Sequence, residues 1–210
     1  MVYMGSQKSR TQNIMDGGEM NKSKLEKALT LSHVPRWAIV EVAKPQTVAE
    51  HSYRTAVFAV ELAERICKAN ALIVLDMAWV MIRSLFHDAE EAESGDIPTP
   101  FKQALSQKYN VEWDNDRNAK GDGIEGAIVH MADKIEAVTY LTRYGQRNNG
   151  RVVTFLKDEI LHAKRLLFEV ATKNYMSNMP GLNEEAIKAK ISGDINRIVD
   201  DLIDIGTTYE

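Results

Sequence analysis

Ser84-Leu85-Phe86-His87-Asp88-Ala89-Glu90-Glu91 decides how the rest of this chain is read. It closes an apolar, helix-like run from Leu72 to Phe86 with an imidazole beside a carboxylate. Such a pair at the end of a buried helix is costly unless something pairs with it, and a divalent cation pairs with both groups. Upstream, His51 lies in Thr47-Val48-Ala49-Glu50-His51-Ser52-Tyr53-Arg54; downstream, Asp133 lies in Met131-Ala132-Asp133-Lys134. Two imidazoles and two carboxylates make the mixed nitrogen and oxygen shell that suits Zn, Mn, Fe, Co or Ni. Each also has a plain structural use: His51 bonded to backbone in a first helical turn, Asp88 as a capping carboxylate, Asp133 paired with Lys134 or Lys157. Spacing across helices is loose, so the residues alone leave both readings open.

The totals bound the class. A chain of 210 residues, 44% apolar and 27% charged, is that of a globular protein with enough length for a real core. A net charge of −4 and a pI near 5.8 argue against a broad nucleic-acid or anionic-membrane surface. The lone Cys67 cannot form an internal disulfide, which fits a reducing compartment, and reads as a small helix residue rather than a catalytic thiol. No apolar run reaches spanning length, and residues 1–20 lack the apolar core of a signal peptide, so the cytoplasm is the expected setting.

Residues 1–20 show no sustained period and read as a flexible tail before one helical domain over residues 21–210. A short helix is expected through Leu31, capped by Asn21 or Ser23. Pro35 then pushes Val34 toward extended geometry. Thr47 with Glu50 three residues later fits a capping box opening a helix to Lys68. Leu72 to Asp88 reads as a second helix buried on most sides. Two prolines in Ser94-Gly95-Asp96-Ile97-Pro98-Thr99-Pro100 break it, before a short helix from Phe101 to Tyr109. The polar segment Asn110 to Gly123 reads as a loop or lid. Helical spacing returns over Ile124–Tyr144, Arg151–Lys173 and Asn183–Ile205, the last two separated by Met179-Pro180-Gly181. Without β-alternation or an internal repeat, the fold class is all-α.

Further groups cluster around these ligand-type residues in sequence. Glu91, three residues after Asp88, returns to the face of His87 and Asp88 if the turn stays helical. A carboxyl group near a bound water suits general acid/base work, whereas Glu90 and Glu93 read as a solvated acidic cluster. Arg36 beside Trp37 offers a planar cation for phosphate and a flat wall for a sugar or base. Lys102, Lys134, Arg54 and Arg83 are ordinary surface cations by default. His130, one turn before Asp133, is positioned to join the site; His33 and His162 have no partner in the sequence.

Taken in order, five segments resemble the HD-domain phosphohydrolase superfamily, and within it the compact 5′-deoxynucleotidase branch with its phage dATP triphosphohydrolase relatives. They are Arg36-Trp37, Thr47-Val48-Ala49-Glu50-His51-Ser52, Leu85-Phe86-His87-Asp88-Ala89-Glu90-Glu91, Gly95-Asp96-Ile97-Pro98-Thr99-Pro100 and Ala132-Asp133-Lys134. The resemblance runs from about Ser32 to Gly150 and implies a compact helical bundle. It implies one divalent metal on His51, His87, Asp88 and Asp133, with Glu91 acting on the nucleophilic water or the leaving 5′-oxygen and Arg36 on the α-phosphate. Asp96 would take the 3′-hydroxyl and Trp37 would exclude a 2′-hydroxyl. Ile39 and Pro100 would wall the base and Lys102 would meet phosphate. The activity implied is hydrolysis of deoxynucleoside monophosphates, with a dATP triphosphohydrolase as the second reading. A catalytically silent nucleotide- or partner-binding module is the reading of another class. A homo-oligomer formed through the C-terminal helices is the expected assembly.

Overall fold

Thr47 accepts a hydrogen bond from the Glu50 amide while the Glu50 carboxylate accepts one from the Thr47 amide, a reciprocal cap that starts the first long helix. A computed structural model describes residues 22–110, 123–146, 150–178 and 183–209. Its helices are α1 (Lys22–Thr30), α2 (Val48–Ala69), α3 (Met77–Phe86), α4 (Glu91–Ser94), α5 (Thr99–Tyr109), α6 (Gly123–Tyr144), α7 (Gly150–Asn178) and α8 (Glu184–Thr208), with a 3-10 turn at Leu31–His33. Among the described residues there is no strand, only isolated antiparallel bridges at Pro35–Thr47 and Val42–Gly145. The all-α expectation holds. The expected tail, the core of the expected lid (111–122) and Met179-Pro180-Gly181 lie outside the described residues.

Helix α6 is the axis of the bundle and packs against α2, α3, α7 and α8. Ile128, Val129, Met131, Ala132 and Ile135 on it are fully buried. Ala59 and Ala63 of α2, with Ala163 and Ala171 of α7, are buried too and let the helix backbones come close. Gly206 does the same for α8: a Cβ there would stand 2.6 Å from Thr139 Cγ2 and 2.8 Å from Phe58 Cζ. No described helix is long and apolar enough to cross a membrane.

Two expectations need correction. The Leu72–Asp88 run is helical only from Met77 to Phe86, because Asp76 accepts a hydrogen bond from the Trp79 amide and caps the helix there. Nor is that helix buried on most sides: Val80 and Ser84 face the core, while Met81 and Ile82 are each 47% exposed. Also, Pro98 and Pro100 do not merely interrupt helix. Pro98 is the N-cap of α5 and Pro100 sits in its first turn, where a missing amide hydrogen costs nothing.

Candidate metal centre

Helix α3 ends at Phe86, and His87 becomes its C-cap. The His87 Nδ1–H donates to the Ser84 carbonyl at 2.8 Å, since a carbonyl can only accept. On α2, His51 is fully buried and its Nδ1–H donates to Glu136 Oε2 at 2.6 Å. Both imidazoles therefore turn a bare Nε2 lone pair toward each other, 3.2 Å apart. Asp88 Oδ2 lies 3.4 Å from His51 Nε2 and 3.2 Å from His87 Nε2, and Asp133 Oδ1 lies 3.2 Å from His51 Nε2. Three acceptors have converged, with the Asp133 carboxylate beside the His51 corner. Tetrahedral ligands at about 2.0–2.1 Å from a metal stand about 3.3 Å from one another, and these separations fit that edge. His51, His87 and Asp88 form the tight metal-ligand group among the described residues, with Asp133 against its His51 corner.

The electrostatics agree. Burial and the Arg36 charge push the His51 imidazolium down, but Glu136, Asp133 and Asp88 outweigh them and hold its pKa up to about 10. Burial alone would raise the Asp88 carboxyl, yet the charges and hydrogen bonds of His87 and His51 drive it well below its ordinary value. The cluster demands a positive charge at Nε2, which a proton or a metal cation can supply.

Asp88 leads through tight backbone turns into α4, with the Glu91 amide bonded to the Asp88 carbonyl at 3.0 Å. Burial, then the charges of Asp88 and Asp96, push the Glu91 carboxyl up to about 8. Its Oε2 is buried without a hydrogen-bond partner, while Oε1 lies 3.5 Å from Lys102 Nζ. Gly95, at φ 71, then turns the chain so that Asp96 meets Arg36 and Trp37. Asp96 Oδ2 accepts the Trp37 amide at 3.3 Å and stands 3.7 Å from Arg36 Nε.

Arg36 and Trp37 sit on the segment between Leu31 and Thr47, and Trp37 has a left-handed backbone at φ 67. For a bulky residue this costs about 1–3 kcal/mol and persists only where neighbours impose it. The neighbours are plain. Trp37 Nε1–H donates to Gln46 Oε1 at 2.8 Å, its ring lies parallel to Tyr140 at 6.0 Å, and the Arg36 guanidinium lies over it at 4.7 Å. Arg36 Nη1 reaches Glu136 Oε2 at 3.4 Å and Gln46 Oε1 at 3.5 Å, whereas its buried Nε has no hydrogen-bond partner.

The structure thus gathers His51, His87, Asp88, Asp133, Glu91, Arg36, Trp37, Asp96 and Lys102. Ile39 and Pro100 it leaves exposed, with no described contact to the cluster. His130 does not join: its ring meets His162 edge-on at 6.5 Å, which also gives His162 the neighbour it lacked in the sequence. Arg54 is no ordinary surface cation, because its Nε–H donates to Glu136 Oε1 at 2.8 Å. Arg83 lies over Trp79 on α3. Glu136 and Gln46 were missed by sequence reasoning. The available signal was that Glu136 follows Asp133 by three residues, on the same face of a largely apolar helix.

Residues 25–119 match the sequence model of the family described as 5′-deoxynucleotidase YfbR-like. A dATP triphosphohydrolase of Salmonella phage PMBT28 is 31% identical over 54% of this chain and 63% of its own length. A 5′-deoxynucleotidase of Enterobacter sp. (strain 638) is 32% identical over 39% of this chain and 42% of its own. The matched part therefore spans less than two thirds of either relative. In fold, the chain is similar to the Cyanophage S-2L HD phosphohydrolase (DatZ) bound to dA and one catalytic Zn2+ ion. The TM-score is 0.54 and the identity 19%, over 84% of this chain and 96% of that one. The chain has the fold of an HD phosphohydrolase, and over residues 25–119 its sequence is similar to the YfbR-like 5′-deoxynucleotidases.

Proposed function

We propose that this protein is a metal-dependent phosphohydrolase that cleaves the 5′ phosphate ester of 2′-deoxynucleotides, converting deoxynucleoside monophosphates to deoxynucleoside and phosphate. The observation that carries it is the convergence of the His51 and His87 Nε2 atoms with an Asp88 oxygen, the Asp133 carboxylate standing beside His51. His51, His87, Asp88 and Asp133 would hold one divalent transition metal, and their donor atoms suit Zn, Co, Mn, Ni or Fe. When bound, such a cation supplies Lewis-acid activation of water and of the phosphate oxygens.

The chain's own groups do the rest. Arg36, its Nε 3.7 Å from Asp96, brings a positioned charge to the α-phosphate, where negative charge accumulates. Glu91, protonated near neutral pH, gives its proton to the 5′-oxygen as the bond from phosphorus to that oxygen breaks. Trp37, immobilised between Gln46 and Tyr140, leaves no room for a 2′-hydroxyl, and Asp96 accepts from the 3′-hydroxyl. Lys102 meets phosphate from beside Glu91. Ile39 and Pro100, both exposed, flank the base.

A triphosphate substrate is the second reading, favoured by the name of the Salmonella phage relative, a dATP triphosphohydrolase. The same bond breaks, and triphosphate leaves instead of phosphate. Incubation with dAMP and dATP across a panel of metals, followed by chromatography, separates the two, because free triphosphate arises only from the second. No turnover of either substrate with any metal rejects both and favours a silent binding module.

A homo-oligomer is part of this reading. The apolar groove of Tyr53, Val57, Val60, Met81, Leu85 and Ile205 supports it, and light scattering checks it. Burial pushes the half-buried Cys67 thiol pKa up, which fits an inert side chain; a cytoplasmic setting is part of the same reading.

A further inference from the structure

Glu136 is fully buried, and both of its oxygens are spoken for twice. Oε2 accepts from His51 Nδ1 at 2.6 Å and Arg36 Nη1 at 3.4 Å; Oε1 accepts from Gln46 Nε2 and Arg54 Nε, each at 2.8 Å. Gln46 is itself buried, and its carbonyl oxygen accepts from Trp37 Nε1 and Arg36 Nη1. One carboxylate therefore touches a metal-type ligand directly and the Arg36-Trp37 segment both directly and through one amide. Burial alone would raise the Glu136 carboxyl, but the charge and hydrogen bond of His51 and the charges of Arg36 and Arg54 hold it below its ordinary value.

We propose that Glu136 is a positioning residue that couples the metal site to the substrate-facing segment, with Gln46 as the link to Trp37. This rests on the function proposed above. Glu136 fixes His51 as the tautomer whose Nε2 lone pair faces the cation, and it strengthens that nitrogen as a donor. By the same contacts it holds the Arg36 guanidinium and, through Gln46, keeps Trp37 in its left-handed pose. A cation that draws His51 inward also tightens the anchor on which Arg36 and Trp37 hang. Substrate contact with that pair tightens His51 in return, as reciprocity between two linked sites demands.

The test separates the two arms in the full chain. Co(II) affinity is measured by chelator competition and its ligand field by visible absorption. KM, kcat and the deoxy-to-ribo ratio are measured on whichever of dAMP and dATP is turned over. Glu136→Gln is expected to weaken Co(II) binding by about 10–100-fold, the range for loss of a partner to a metal-bound imidazole, and to raise KM as well. Gln46→Met keeps the length of the side chain and cannot touch His51. It is expected to weaken Co(II) binding far less than Glu136→Gln does, to raise KM about tenfold and to narrow the deoxy-to-ribo ratio. Unchanged KM and ratio in Gln46→Met, or unchanged Co(II) affinity in a folded Glu136→Gln, overturns the proposal. If Glu136→Gln does not fold, Gln46→Met decides alone. Wild-type protein that takes up no Co(II) or turns over neither substrate removes the proposed function and this coupling with it. A wild type that does both, with variants that fail to split as stated, removes only the coupling.

Discussion

The two sides of the site are built differently. His51, Asp133 and Glu136 stand on α2 and α6, each of 22 residues and locked into the core. Arg36, Trp37 and Asp96 stand on turns, after a 3-10 entry and beside a helix of four residues, α4. The first side is held by helix packing, the second by a handful of side-chain hydrogen bonds. Ligand geometry on such a frame resists change; the opposite segment can be retuned at the partly buried Asp96, whereas Gln46 and Tyr140 tie it to buried side chains.

The deepest break comes where a turn meets the rigid side, at Asp88 between α3 and α4. Asp88→Ala is expected to remove metal and lower kcat/KM by about a thousandfold or more, several kcal/mol of lost charge stabilisation. Circular dichroism should show the helices intact, and turnover at normal metal loading would reject the ligand assignment. Glu91→Gln should keep metal content and KM while kcat falls about 10²–10⁴-fold. The wild-type rate should decline as pH rises through the Glu91 pKa of the metal-loaded protein, below its metal-free value, and the variant should lose that limb. Trp37→Ala, on the adjustable side, should narrow the deoxy-over-ribo preference about tenfold and leave metal content alone, which mass spectrometry of bound metal checks.

The smallest effect belongs to the metal-free protein. Folded Glu91 holds its proton up to a pH of about 8, against an ordinary value of 4.5. Its contribution to stability is full below that ordinary value and is lost as pH rises through 8. Urea unfolding between pH 5 and 8.5 should show wild type losing stability relative to Glu91→Gln as pH rises. Metal should suppress the difference, because a cation offsets the Asp88 charge that helps raise Glu91.

Legibility followed the same division. The Thr47 cap announces where α2 starts, and the His-Asp doublet marks where α3 ends, so the ligand-type residues were readable from local chemistry. Glu136 was not. Lys134-Ile135-Glu136 looks like any helix surface, and its burial comes from Arg36, Gln46 and Arg54 arriving from distant chain. The outer face of α3 failed for the converse reason: an apolar side chain reads the same in sequence whether a neighbour covers it or, as at Met81 and Ile82, none of the described elements does. His130 shows the limit of spacing, since one turn from Asp133 it points instead to His162.

The close seating of α8 at Gly206 brings the Tyr209 hydroxyl onto Arg54, and Arg143 stacks on the same ring. Arg54 in turn grips the carboxylate that orients His51. Removing the Tyr209 ring would therefore loosen the His51 imidazole through two intervening side chains, 158 positions away in sequence.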